Sequence, residues 1–497
     1  MLIVICQQPA KKRQKKLLNN LAGLSYFGVE SYKQMKKLFA VLLLAIPLAV
    51  LAQPDQKLTR EIFKELIEIN TTNSTGDNTK ACEAMAARFR AAGFPDKDIF
   101  VGGPHPKKGN LVVRLHGTGK RKPLLCLAHI DVVEALRDDW TTDPFKFEEI
   151  DGFYYARGSS DDKAMAAIFV ANLIRMKKEG FVPDRDIIVA LTSDEEGGDY
   201  NGVDWLLKNH HDLIDAEYAL NEGGRGAEMD GKKISNNVQL SEKVFQSFKL
   251  EVRNRGGHSS VPRKDNAIYR LAKALDNLAK FDFPINLNDG TRAFFERTSK
   301  IETGQLASDM SGILAANPDP EVVARLSVFP NYNAMLRTTC VATMISGGHA
   351  ENALPQTATA TVNCRILPGE DPEKIKETLI NVFGDNTISV TPIRPAHPSP
   401  PSPLNPDMIG PIEKVTQSMW PGVPVIPTMS TGATDGSYLR NSGIPTYGVS
   451  GIFGDITDVR AHGKDERIGI KSFYEGQEFL YRLTKELSSK VNVKRGY

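Results

Sequence analysis

Three segments of the 497-residue chain carry imidazole and carboxylate groups where they could act on one shared ligand. The first is His129-Ile130-Asp131, which follows the apolar run Pro123 to Ala128. Side chains two apart on an extended chain share a face, so the histidine and the acid project together, as a metal-bound imidazole steadied by a carboxylate requires. A strand-end histidine hydrogen-bonded to an acid is also common without any metal. The second is Ala156-Arg157-Gly158-Ser159-Ser160-Asp161-Asp162-Lys163, a polar turn that leads into a helix. A carboxylate there can bridge two cations through its two oxygens, and it can equally cap the helix. The third is Thr192-Ser193-Asp194-Glu195-Glu196-Gly197-Gly198. Neighbouring glutamates at a strand end point to opposite sides, so one could ligate a metal while the other faces an attacking water; alone, the pair reads as a solvated turn.

Glu222, after another apolar run, and His462, far downstream, read singly as loop residues. Taken together, His129, Asp161, Glu196, Glu222 and His462 supply five oxygen and nitrogen ligands with no thiolate. That inventory suits two divalent metal ions, zinc first, with cobalt or manganese as alternatives.

The elements that would hold these groups alternate in type. Asn110 to Leu115, Pro123 to Ala128 and Asp186 to Thr192 read as strands, and Ala164 to Lys178 as a helix, a pattern that implies an α/β layer. Open α/β sheets bind ligands at the carboxyl ends of their strands, where the first and third segments fall. From Val244 the texture changes. Phe248, Leu250 and Val252 alternate as on a strand; Ile268, Leu271, Ala272 and Leu275 recur with helical spacing; then come a strand Thr359 to Ile366, a helix opened by Asp371-Pro372 and a strand Thr387 to Val390. This is the split ferredoxin-like order, closed by the Pro-rich stretch Pro392 to Pro406. A helix from Ile412 to Trp420, a strand near Thr446 to Val449 and a helix from Lys471 to Leu487 then restore the α/β texture. The expected division is therefore a catalytic domain in two parts, 53–243 and 396–497, with 244–395 inserted.

Composition is that of a soluble globular protein: 62 Lys and Arg against 60 Asp and Glu give +2, too little for a nucleic-acid surface. Met35-Lys36-Lys37, an apolar run from Leu38 to Leu51 and Ala52 before Gln53 have the layout of a secretory signal peptide over 35–52, with 1–34 upstream of the true start. The run is short for a membrane span, and removal of residues 1–52 leaves 54 basic against 59 acidic side chains, net −5. The expected location is periplasmic or secreted, with no stable membrane span. Beyond residue 52 the cysteines are Cys82, Cys126, Cys340 and Cys364, without a CxxC pair. Isolated buried thiols are expected, and Cys340 with Cys364 is the pair that export would let form a bridge.

The ordered motifs from about Lys57 to Leu487 resemble the M20 family of metallopeptidases and aminoacylases. That resemblance implies a three-layer α/β/α metallohydrolase domain with an inserted ferredoxin-like lid and dimerisation domain. It implies that Asp161 bridges two metals held by His129, Glu196, Glu222 and His462, that Glu195 is the general base, that Asp131 orients His129, and that the Asp161-Asp162 peptide is cis. Gly256-Gly257-His258-Ser259-Ser260 is similar to the family's lid histidine, which reaches a partner subunit's site in a homodimer. Asn352, within Gly347 to Pro355, and Arg365 on the following strand resemble the grip on a substrate carboxylate, and Gly432 and Thr434 a substrate-side loop. An ordinary salt bridge for Arg365 and a loop cap for His258 are the plain alternatives. The implied activity is cleavage of an amide next to a free carboxylate: a carboxypeptidase acting on peptides, or alternatively an N-acyl-amino-acid deacylase, or remotely a binding protein with a vestigial site.

Overall fold

The computed structural model describes residues 54–489, so the expected leader over 35–52 and the segment before it lie outside the described residues. The largest sheet runs in the order Ile99–Gly102, Asn110–Leu115, Ile187–Thr192, Leu124–His129, Tyr218–Asn221, Thr446–Gly448, Lys232–Glu242, Gly226–Met229 and Phe453–Asp455, with Val425–Ser430 also paired to Lys232–Glu242. Its four central strands, Ile187–Thr192, Leu124–His129, Tyr218–Asn221 and Thr446–Gly448, are parallel.

Both faces of this sheet are covered, and the strands show why they read as unbroken apolar runs. Leu124, Cys126, Ala128, Ile187, Val189 and Leu191 join one core, with Phe63, Met85, Ala167, Met408 and Phe473 from the helices on that face. The alternate residues Leu125, Leu127, Ile188 and Ala190 join a second core with Val203, Leu206 and Leu439. Side chains of period two on strands buried from both sides produce such runs, and three α/β/α layers result. The helix Lys163–Lys178 is apolar nearly all round because it lies between the sheet and the closing helix Ile470–Ser488.

Residues 244–395 carry a second, antiparallel sheet in the order Thr339–Gly347, Thr357–Ile366, Val244–Arg253, Ser389–Pro392. Val244–Arg253 alternates buried and open positions along its length, and its inward side chains Phe248, Leu250 and Val252 pack with the helices Ala267–Ala279 and Pro372–Phe383. Asp371 caps the second helix by accepting from Glu373 N at 2.9 Å. With Thr339–Gly347 supplying the second strand, the chain order is ferredoxin-like.

Three details differ from the expectation. The buried stripe of Ala267–Ala279 is Ala267, Leu271, Ala274 and Leu278, leaving Ile268 and Ala272 facing outward. Between this helix and Thr339–Gly347 the chain makes four further helices, Asp289–Thr298, Gly304–Gly312, Pro320–Ser327 and Pro330–Leu336. They close their own apolar cluster around Phe295, Met310 and Leu336, against Met429 of the main sheet. Finally, Cys340 and Cys364 are not isolated thiols. Antiparallel pairing sets them directly opposite, with Cα atoms 4.1 Å apart, and they form a disulfide; Cys82 and Cys126 are free and buried.

Candidate active site

Strand register brings the scattered motifs to one edge. Leu124 pairs with Ile187 and His129 with Thr192, while Leu124 also pairs with Tyr218 and Cys126 with Leu220. In parallel strands this alignment makes His129, the segment after Thr192 and Glu222 emerge side by side at the carboxyl ends. Asp161 reaches the same edge from the turn before Lys163–Lys178, and His462 from the loop between Phe453–Asp455 and Arg467–Gly469. Asp194 and His462 have φ of 58° and 62°, a left-handed backbone that Asp and His adopt more readily than most non-glycine residues. Asp161-Asp162 is cis. Asp162 occupies the cap position of the helix without making a side-chain cap bond.

The side chains converge as two overlapping triads. His129, Asp161 and Glu222 form one, and Asp161, Glu196 and His462 the other; within each, ligand atoms lie within 4.8 Å of one another. Asp161 belongs to both. Its Oδ1 is 3.0 Å from His129 Nε2 and its Oδ2 3.2 Å from His462 Nε2, which is also 2.9 Å from Glu196 Oε1. Glu222 Oε1 stands 3.9 Å from His129 Nε2, and Glu195 forms a third triad with His129 and Glu196.

Burial and hydrogen bonding divide the acids of this cluster. Burial, reinforced by neighbouring carboxylates, pushes Glu195, Glu222 and Asp162 well above the usual carboxylate range. For Asp161 burial acts in the same sense, but hydrogen bonds from His129 and His462 outweigh it and hold the carboxyl low. Hydrogen bonds to Asp161 and Glu196 raise His462 to about 10. Four acids around two imidazoles in a largely buried edge is a donor set that divalent cations neutralise, and oxygen and nitrogen donors without sulfur fit borderline ions.

Supporting residues fix the loops. Asp131 does more than face His129, whose Nδ1 lies 3.0 Å from the Asp131 carbonyl and 3.6 Å from its Oδ1. The Asp131 carboxylate accepts the amides of Glu195 and Glu196 at 3.1 and 2.9 Å, tying the glutamate loop to the histidine strand. Two anchors were not singled out in the sequence. Lys108 donates to Asp194 at 2.5 Å and to Asn73 at 2.7 Å, clamping the same loop from beneath. Glu466, fully buried, accepts from Arg157 Nη1 at 2.6 Å, Gly158 N at 3.0 Å, Ser160 N at 2.7 Å, Ser160 Oγ at 3.1 Å and Asp161 N at 3.1 Å. It lies four residues after His462, so one short segment both presents a histidine and organises the Asp161 turn. Its place in Ala461-His462-Gly463-Lys464-Asp465-Glu466-Arg467, four residues from a candidate ligand, was the available signal.

The lid residues lie apart from this cluster within one chain. His258 is exposed on a short ladder with Ala353, its Nδ1 2.7 Å from Ser260 Oγ, and Ser259 N donates to the Asn352 carbonyl at 3.0 Å. Neither His258 nor Asn352 bonds to the cluster among the described residues. Arg365 has no ionic partner among the described residues; its guanidinium lies 4.8 Å from the Phe245 ring centroid and donates to Thr431 O at 3.2 Å. Gly432 N donates to Ser430 Oγ, and buried Thr434 donates to Glu242, which also receives Arg440.

Residues 125–486 match the model of peptidase family M20/M25/M40. The human N-fatty-acyl-amino acid synthase/hydrolase is 30% identical over 379 residues, covering 73% of this chain and 73% of its own. An M20 family metallo-carboxypeptidase from Sulfolobus solfataricus has the same fold, with a TM-score of 0.62 at 19% identity over 86% of this chain and 99% of that one. A dinuclear metal-binding M20 peptidase from Bacillus subtilis superposes with a TM-score of 0.56 at 10% identity, over 87% of this chain and 98% of its own. The motif order, the three-layer sheet with its ferredoxin-like insertion and these matches agree: the chain belongs to peptidase family M20/M25/M40 and is a hydrolase.

Proposed function

We propose that this hydrolase cleaves the amide joining an acyl group to an amino acid with a free carboxylate. The observation that carries the reading is the pair of triads sharing Asp161, with Glu195 beside them. His129 and Glu222 would hold one divalent cation, Glu196 and His462 a second, and Asp161 both; two imidazoles among hard oxygens favour zinc, with cobalt or manganese able to substitute. Bound cations there supply a water of lowered pKa and an electrophile for the carbonyl oxygen.

The chain's own groups do the rest. Glu195 takes the proton from the attacking water and delivers it to the leaving amine, and Asp131 fixes its position through the two loop amides. Arg365, a planar guanidinium with no anionic partner among the described residues, grips the substrate carboxylate through paired hydrogen bonds, beside Gly432 and Thr434. His258, exposed on the lid with Asn352, would donate to the oxyanion from a second copy of the chain. A homodimer fits the open edge strand Thr339–Gly347, where Val341, Met344 and Ile345 are 60%, 69% and 66% exposed, since natural sheets seldom leave such an edge uncovered.

N-acyl amino acids are the substrate class favoured by the 30% identical relative. A carboxypeptidase acting on peptides is the second reading, supported by the leader-like sequence and by the Cys340–Cys364 disulfide, which suits an exported, periplasmic or secreted enzyme. The test is Glu195→Gln assayed on N-acyl amino acids and dipeptides. It should bind metal like the parent while turnover falls by about 10²- to 10⁴-fold. Turnover close to the parent's would refute the base, and activity that survives complete chelation would refute the metal reading.

A further inference from the structure

A cavity of about 680 Å³ opens on Glu195 and runs beneath the start of the lid. Phe245, Ile393, Pro395 and Tyr438 give it an apolar wall, with Thr434 beside its mouth. Phe245 and Ile393 are each 51% exposed, unusual for large apolar side chains on the first strand and the linker of a packed lid. Apolar groups left open toward a concave space, rather than scattered over a convex surface, mark a ligand wall.

Apart from Glu195 and the exposed Arg394 and His397, whose side chains make no hydrogen bond among the described residues, the charged groups that also line this space are already engaged. Asp194 holds Lys108, Glu242 holds Arg440 and Thr434, Asp435 receives Asn201 at 2.7 Å and Thr192 at 3.1 Å, and Lys243 donates to the Arg337 carbonyl at 2.7 Å. Along Phe245, Ile393, Pro395 and Tyr438 what the cavity offers a ligand is therefore apolar surface, with Arg394 and His397 the polar side chains left open in the same lining.

We propose that this cavity receives the side chain of the amino acid that is released, and that it selects large aliphatic or aromatic residues at that position. The inference rests on the amide-hydrolase reading above. The leaving amine must meet Glu195, which lines the cavity. The carboxylate must meet Arg365, whose guanidinium lies against the ring of Phe245, another lining residue. The α-carbon joining those two groups is then held over the cavity mouth, and its remaining bulky substituent has this space to enter. A hydrophobic pocket of this kind discriminates by about 1–3 kcal/mol per methylene, so residues differing by several carbons separate by at least about tenfold in kcat/KM.

The experiment uses the metal-loaded full chain and two panels. One holds the acyl group as acetyl and varies the released residue through Phe, Leu, Ala, Asp and Lys; the other holds the released residue as Phe and lengthens the acyl chain from acetyl to palmitoyl. The expected result is kcat/KM at least about tenfold higher for Phe and Leu than for Ala, Asp and Lys. Ile393→Glu, a change at an exposed wall position, should cut the Phe-to-Ala ratio about tenfold and raise the Lys-to-Ala ratio. If hydrolysis occurs without a preference at the released residue, or if Ile393→Glu leaves these ratios unchanged, the pocket is overturned while the activity stands. A change by Ile393→Glu confined to the acyl-length ranking would assign the cavity to the acyl side and overturn the proposal too. No hydrolysis of any compound in either panel would remove the proposed activity, and the pocket with it.

Discussion

Replacing Glu466 by glutamine should weaken the site without touching any group placed on a metal or a substrate. One carboxylate oxygen accepts from Arg157 and the Gly158 amide, the other from Ser160 N, Ser160 Oγ and the Asp161 amide, all within 3.1 Å. The Gln side chain has the same shape, but its NH₂ must face one of these two sets of donors. Either way a buried cation or two loop amides lose their acceptor, and Arg157 loses its counter-charge in a position where its side chain is 3% exposed. Breaking such a buried pair costs about 3–5 kcal/mol. Part of that cost is relieved if the 157–161 turn shifts, and any shift moves Asp161, the residue shared by both triads. Loss of an outer anchor of this kind weakens metal binding by about 10- to 100-fold. The assay is zinc affinity by chelator competition, read beside the urea midpoint of the metal-free protein. Ser160→Ala, which removes one of the five donors, should move stability the same way by about 1 kcal/mol. Zinc affinity within twofold of the parent for Glu466→Gln would refute the coupling between this acid and Asp161, whatever happened to stability.

Arg365→Ala should raise KM for substrates with a free carboxylate by about 100-fold and leave their amidated counterparts, which are poor to begin with, nearly unchanged; equal losses on both would refute the carboxylate grip. Burial, opposed by Glu370 and reinforced by Arg365, pulls the Lys243 ammonium down to about 7. Its folded value lies below the unfolded value near 10.4, so in that window the unfolded chain holds a proton the native chain has released, and stability rises with pH by up to about 1.4 kcal/mol per unit. Lys243→Met should flatten the rise of the urea midpoint between pH 7 and 9.5 relative to the parent, and equal slopes would refute it.

The donors of the site were legible because strand ends announce themselves: an apolar run followed by His129-Ile130-Asp131, or by Asp194-Glu195-Glu196, needs no knowledge of the partner strands. The anchors were harder to read. Lys108 and Glu466 look like ordinary surface charges until the fold buries them against Asp194 and the Asp161 turn, and their value lies wholly in those distant partners. The four helices from Asp289 to Leu336 escaped for a related reason. Each is ten residues or fewer, and their apolar faces close on one another and on Met429 instead of on a periodic stripe of a long helix.

The disulfide makes the same point most sharply, because Cys340 and Cys364 become neighbours only through an antiparallel pairing between Thr339–Gly347 and Thr357–Ile366. A one-residue slip in that register would turn the two side chains to opposite faces. Register decides the site in the same way. Were Ile187–Thr192 shifted by one residue against Leu124–His129, the loop carrying Glu195 and Glu196 would slide out of line with His129 and Asp131, and the triads around Asp161 could not both form. Motif order along the chain therefore names the donors, while their chemistry depends on strand alignment that the two apolar cores enforce from either face of the sheet.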